Sequence, residues 1–206
     1  LYRYSARDYA RTMIFRNDDA LEIEAVSPDG RYVAMTKART SADSDLYLLD
    51  TRAAAPKPQL ITPHKGNISH GAYGFTRDGK QLVYSTDEHG EFTQAWTYDV
   101  ADGRKAPLIA APWDVSFVSF SESGRYRISG TNDDARTVVR ILDRDTGKEI
   151  TLPGLPPGDL SQVQFSRDEK RVALRVSSDT SPADVYVVDL ATGKSTRLTH
   201  ALNPAI

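Results

Sequence analysis

The stretch from Ser27 to Asp50, SPDGRYVAMTKARTSADSDLYLLD, decides the fold. Its first four residues form a turn in which Pro28 presets φ at the second position and Gly30 takes the fourth. Two apolar runs follow, Tyr32 to Thr36 and Leu46 to Leu49, and Asp50 closes the second. The same order of turn, strand and Asp-ended strand returns from Thr76-Arg77-Asp78-Gly79 to Asp99, from Ser121-Glu122-Ser123-Gly124 to Asp143, and from Ser166-Arg167-Asp168-Glu169 to Asp189. A repeat of roughly 40–50 residues built of short strands marks a β-propeller, whose blades are four-stranded sheets around a channel. The expected fold class is all-β: a β-propeller fragment of about four four-stranded blades plus a half blade at the N-terminus.

Working outward, Leu21, Ile23 and Ala25 alternate with Glu22 and Glu24, the pattern of a first strand with one buried face. Fourth strands are expected near Gln59 to Thr62, Ala106 to Ile109, Glu149 to Leu152 and Ser195 to Leu198. The blades then occupy approximately 20–62, 69–110, 113–153 and 160–199. Leu1 to Tyr4 and Thr12 to Phe15, joined by a polar bend, give only a half blade over 1–16. Asp102-Gly103, Thr146-Gly147 and Thr192-Gly193 are tight hairpin turns. The connections from second to third strands read as longer, varied loops: Ala38 to Ser44, Asp87 to Phe92, Thr131 to Arg136 and Ser178 to Ala183. The half blade at one end and the last blade at the other leave apolar faces open, so self-association is expected. A chain beginning at Leu1, with its first methionine at Met13, reads as a processed or trimmed segment.

Composition narrows the function classes. With 39% hydrophobic and 26% charged residues the chain has the balance of a globular protein. A net charge of −2 gives no basic footprint for nucleic acid. No apolar run approaches the roughly 18 residues of a membrane span. The chain has no cysteine, which rules out disulfides and thiolate metal sites. That fits an oxidising compartment without requiring one.

The Ser-Pro-Asp-Gly turn and the Asp45-Leu46-Tyr47-Leu48-Leu49-Asp50 strand resemble repeats shared by the Tol–Pal periplasmic propeller and the non-catalytic propeller of the prolyl oligopeptidase family of serine peptidases. Leu152-Pro153-Gly154-Leu155-Pro156-Pro157-Gly158, Ser181 to Asp189, and Arg197-Leu198-Thr199 are similar to the closing blades of the peptidase propeller. This resemblance covers essentially the whole chain and its motifs are structural. It implies a propeller that gates peptide substrates and docks an α/β-hydrolase domain of the same parent protein, in a periplasmic or secreted setting, with a cytoplasmic one left open. A protein-binding propeller of the Tol–Pal type is the alternative. A small-molecule hydrolase using a channel-bound divalent ion is a third reading, for which inward acidic and His ligands are not evident.

Catalytic residues are not found. A hydrolase of this class needs a Gly-x-Ser-x-Gly nucleophile elbow, and the nearest stretch, Gly66-Asn67-Ile68-Ser69-His70-Gly71, has the wrong spacing. His64 and His70 read as polar residues of an inter-blade loop, since a zinc site wants three or four clustered ligands. No metal and no cofactor are expected. Asp87-Glu88-His89-Gly90-Glu91 reads as a solvated loop, and Asp133-Asp134 with Arg136 as its counterpart in the next blade. Asp50, Asp99, Asp143 and Asp189 are expected to accept local backbone N–H groups. Trp96, Trp113, Phe75, Phe120 and Phe165 read as core between blades. Variable loops on a rigid scaffold carry recognition, so the candidate binding residues are Arg39, Glu88, His89, Glu91, Asp134 and Arg136.

Overall fold

The computed structural model describes residues 1–202, and within them every regular element is a β-strand. The four repeat turns show why. Ser27 Oγ accepts the Tyr32 N–H at 2.8 Å and donates to Asp29 Oδ1 at 2.7 Å, while Gly30 N–H closes on the Ser27 carbonyl. Thr76 with Asp78 and Ser166 with Asp168 repeat this lock. The fourth position has positive φ in all four: Gly30, Gly79, Gly124 and, against preference, Glu169 at 55°.

The chain divides into two units, Leu1–Ala110 and the residues from Ala111 onward. In the first, β1 (Tyr2–Tyr4) and β2 (Arg11–Met13) make a two-stranded sheet. The meander β3 (Glu22–Val26), β4 (Tyr32–Thr40), β5 (Asp43–Asp50) and β6 (Gln59–Leu60) follows, then β7 (His70–Phe75), β8 (Gln81–Thr86), β9 (Gln94–Asp99) and β10 (Lys105–Ile109). Alternation along β4 and β5 feeds two cores. Ala34, Leu46 and Leu48 pack with Phe75, Leu82, Tyr84 and Tyr98 of the next sheet, with Trp96 against them. Val33, Met35 and Leu49 face the other way, toward Leu1 and Phe15.

The second unit holds β11 (Val115–Phe120), β12 (Tyr126–Asp133), β13 (Arg136–Asp143) and β14 (Lys148–Ile150), then β15 (Asp159–Phe165), β16 (Arg171–Ser178), β17 (Ser181–Asp189) and β18 (Ser195–Arg197), again two antiparallel meanders. Its core joins Tyr126, Ile128 and Ile141 to Val172, Leu174, Val176 and Val188, and Tyr126 stacks on Phe165 with ring centroids 4.6 Å apart. These sheets are blades of a β-propeller fragment.

Two details depart from the sequence reading. First strands do not alternate simply: the register shifts at Ile23/Ala25, Ala72/Gly74, Val115/Phe117 and Ser161/Gln164, a bulge in each blade. The bulge at Glu24 breaks the period of two, which is why Ile23 is 51% exposed while Ala25 packs inward. Nor are the second-to-third connections long. Pairing runs on to Thr40↔Asp43, Asp133↔Arg136 and Ser178↔Ser181, so three of the supposed loops are two-residue turns at the ends of extended hairpins. The β8–β9 connection, Asp87 to Thr93, remains a true loop.

Candidate functional site

The third-strand aspartates are the simplest group. Each accepts a backbone N–H two residues on: Arg52 to Asp50, Ala101 to Asp99, Asp145 to Asp143, Ala191 to Asp189. In the first and third blades the residue after the turn is arginine, and its guanidinium reaches the same carboxylate. Arg31 reaches Asp50 at 2.8 Å, and Arg125 grips Asp143 through two bonds, at 3.2 and 2.7 Å. The Arg125 hydrogen bond holds the Asp143 carboxyl down to about 2. The second and fourth blades carry Lys80 and Lys170 there. These acids are structural.

A buried polar cluster in the first unit is less ordinary. Asp43 and Asp45 open β5, and Asp45 is buried although charged. Arg39, near the end of β4, donates to Asp45 Oδ2 at 2.5 Å. His64 Nε2 lies 3.5 Å from both Asp43 Oδ1 and Asp45 Oδ1, and its ring centroid is 5.2 Å from that of His70. His70 in turn lies beside Tyr84, at 6.2 Å. Burial, then the neighbouring His64, pushes His70 down to about 4, and burial with the Glu88 charge raises Tyr84. Asp43 Oδ1, Asp45 Oδ1, the Tyr84 hydroxyl and both ring nitrogens of each histidine are buried without a hydrogen-bond partner. His64 lies on the β6–β7 connection, as expected, but its side chain is buried, and His70 belongs to a strand and not to the loop. His70 is the first residue of β7, fixed where its N–H donates to Ser44 Oγ at 2.7 Å, and it is covered by the neighbouring sheet. Among the described residues no group of three or more His, Cys, Asp or Glu is arranged to hold a metal ion.

The other candidates fall into separate places. Glu88, His89 and Glu91 are exposed on the β8–β9 loop, where His89 packs against Trp96 with centroids 4.1 Å apart and the rings tilted by 33°. Asp87 anchors that loop by accepting the Ser69 N–H at 2.8 Å. Arg39 is a strand residue committed to Asp45, not a free loop cation. In the second unit Asp134 forms the β12–β13 turn with Ala135, both at positive φ. Arg136 opens β13 on the rim of a cleft of about 520 Å³ whose walls include Val139, Gly158, Asp159 and Asp179.

Sequence reasoning missed the buried acids. Asp45 has a counterpart in Asp184, which is also buried and accepts Thr199 Oγ1 at 2.8 Å, the Ala201 N–H at 2.9 Å and the Arg197 guanidinium. An acid directly before an apolar run, Asp45 before Leu46 to Leu49 and Asp184 before Val185 to Val188, was the available signal.

Comparison with known proteins adds the following. The chain matches the family model of the prolyl oligopeptidase N-terminal β-propeller domain over residues 10–201. Comparison with curated proteins finds no match. Among solved structures, TolB from Acinetobacter baumannii superposes with a TM-score of 0.65 at 19% identity, over 96% of this chain and 48% of that one. A puromycin-hydrolyzing peptidase of Mycobacterium tuberculosis gives 0.69 at 15% identity, over 97% and 32%. One of two prolyl endopeptidases studied for inter-domain dynamics in catalysis and specificity gives 0.67 at 20% identity, over 89% and 27%. At these identities the structural likenesses speak to fold alone. The chain spans about half the TolB structure and about a third or less of the two peptidases.

Proposed function

Since the chain belongs to the prolyl oligopeptidase family, as its N-terminal β-propeller domain, we propose that it is the non-catalytic propeller of a serine peptidase, restricting substrate access and docking an α/β-hydrolase domain. The family match over residues 10–201 is the observation that carries this reading. The physical rationale lies in the hairpins. Extended second and third strands carry polar side chains past the packed part of the first, third and fourth blades, where they can meet a second domain or an incoming peptide. The chemistry itself would be supplied by the hydrolase domain through its nucleophile elbow.

The test has two stages. The encoded reading frame should continue into a Gly-x-Ser-x-Gly pentapeptide followed by Asp and His. The full protein should then cleave short chromogenic peptides and spare the same sequence inside a folded protein, while the hydrolase domain without the propeller loses that discrimination. A frame without the elbow, or discrimination that survives removal of the propeller, overturns the proposal. The second reading is a protein-binding propeller of the Tol–Pal type, which shares this fold, and a frame without the elbow would favour it.

A further inference from the structure

The cleft in the second unit lies along a strand edge that this blade leaves open. A two-residue turn closes on the Asp133↔Arg136 pair, so the ladder bonds to β12 fall on Arg136, Val138 and Arg140. Thr137 and Val139 therefore turn their N–H and C=O groups away from β12. The Thr137 N–H confirms this parity by reaching outward to Asp159 Oδ1 at 3.1 Å. On that outer side β14 covers only Ile141 to Asp143. No partner comes to the outward N–H or C=O of Val139 among the described residues.

The other blades close the equivalent position. In the first, Leu46 N–H donates to Thr62 Oγ1 and the Leu46 carbonyl accepts from Ile61 N–H, both at 2.9 Å. In the fourth, Val185 does the same with Thr199 and Leu198, both at 2.8 Å. In the second, β10 pairs as far as Ala95. The third blade has Leu152-Pro153-Gly154-Leu155-Pro156-Pro157-Gly158 instead, with no threonine and three residues that lack an N–H. Pro157 and Gly158 form part of the cleft wall, with no backbone hydrogen bond to Val139 among the described residues. That wall is set firmly: a Cβ on Gly158 would come within 2.3 Å of the Ser177 carbonyl oxygen.

The cleft also has a cation. Arg136 sits on its rim, exposed, with no carboxylate among the ion pairs of the described residues. Asp159 is engaged by Thr137, and Asp179 stands on the opposite hairpin tip. A volume of about 520 Å³ suits a few residues of extended chain.

We propose that this cleft binds the carboxyl-terminal end of an extended peptide, its main chain bonding to the Val139 edge and its terminal carboxylate pairing with Arg136. The site goes beyond the gating reading and is independent of it, because a propeller without a hydrolase domain would bind the same way.

The test is fluorescence anisotropy on the intact chain with labelled β-branched pentapeptides that end in a free acid, an amide, or a free acid with N-methylation at alternate residues. The free acid should bind, and the amide and the Arg136→Gln variant should each weaken it about fivefold, the scale of a partly exposed ion pair. Binding of the amide should be indifferent to Arg136→Gln, Arg136→Lys should retain part of the preference, and N-methylation should abolish binding. Amide chemical shifts at 136–139 and 157–160 should move on titration. Absence of binding, equal binding of acid and amide, or tolerance of N-methylation overturns the assignment. None of these outcomes depends on peptidase activity, so failure here and failure of the gating reading are distinguishable.

Discussion

His70 is a residue whose chemistry the fold alters strongly. Its folded value of about 4 lies below the ordinary 6.5 because burial penalises the charged ring. A depressed histidine stabilises the folded state fully above 6.5, and that contribution is lost as pH falls from 6.5 toward 4. Complete loss amounts to about 3 kcal/mol. Urea midpoints measured at pH 7, 5.5 and 4.5 should therefore decline, and His70→Gln should flatten the decline while lowering stability at pH 7. Equal pH slopes for the two proteins would falsify the burial argument. Little of this was legible beforehand. A histidine beside Gly71 and after a Gly-Asn turn carries no apolar period, and its burial comes from a sheet that is distant in sequence. The acids were better signposted, because Asp43-Ser44-Asp45 directly precedes an apolar strand and a charge carried into a core demands a partner.

At the scale of elements, the repeat turns and strand order were readable because their chemistry is local: a serine or threonine hydroxyl, a carboxylate and a glycine within four residues. The hairpin ends were not. Residues 37–44 and 131–138 include many polar side chains exposed on protruding strands, so the alternation that signals a half-buried strand disappears there. Register is instead set by the turn. In the β12–β13 hairpin both turn residues have positive φ, Asp134 at 47° and Ala135 at 63°, the signature of a type I′ turn that favours glycine at the second site. Ala135→Gly should therefore stabilise the protein by about 1 kcal/mol, the usual cost of a left-handed alanine, as read by urea unfolding. A loss of stability would mean that the alanine methyl is needed there. The open stretch of β13 was equally hidden, since it shows only when one blade is laid against its siblings.

For the whole molecule, each unit carries its own core, and a chain of stacked repeats loses stability locally before it does so globally. Leu46 is fully buried, so Leu46→Ala should cost about 2–5 kcal/mol. Native-state hydrogen exchange should report that cost as lost amide protection within residues 1–110, with residues 111–202 largely spared. A uniform loss would show one cooperative body instead. A final consequence follows from two turns that depart from the repeat. Ser123 stands where the other turns have aspartate, and Glu169 where the others have glycine. Each is locally a poor choice, yet the Glu169 carboxylate accepts both the Ser123 N–H at 2.6 Å and the Ser123 hydroxyl at 2.8 Å, tying one blade to the next. Modules built to one pattern can misdock on one another during folding. Matched departures make this contact particular to these two blades, and averaging the repeats toward a consensus would remove it.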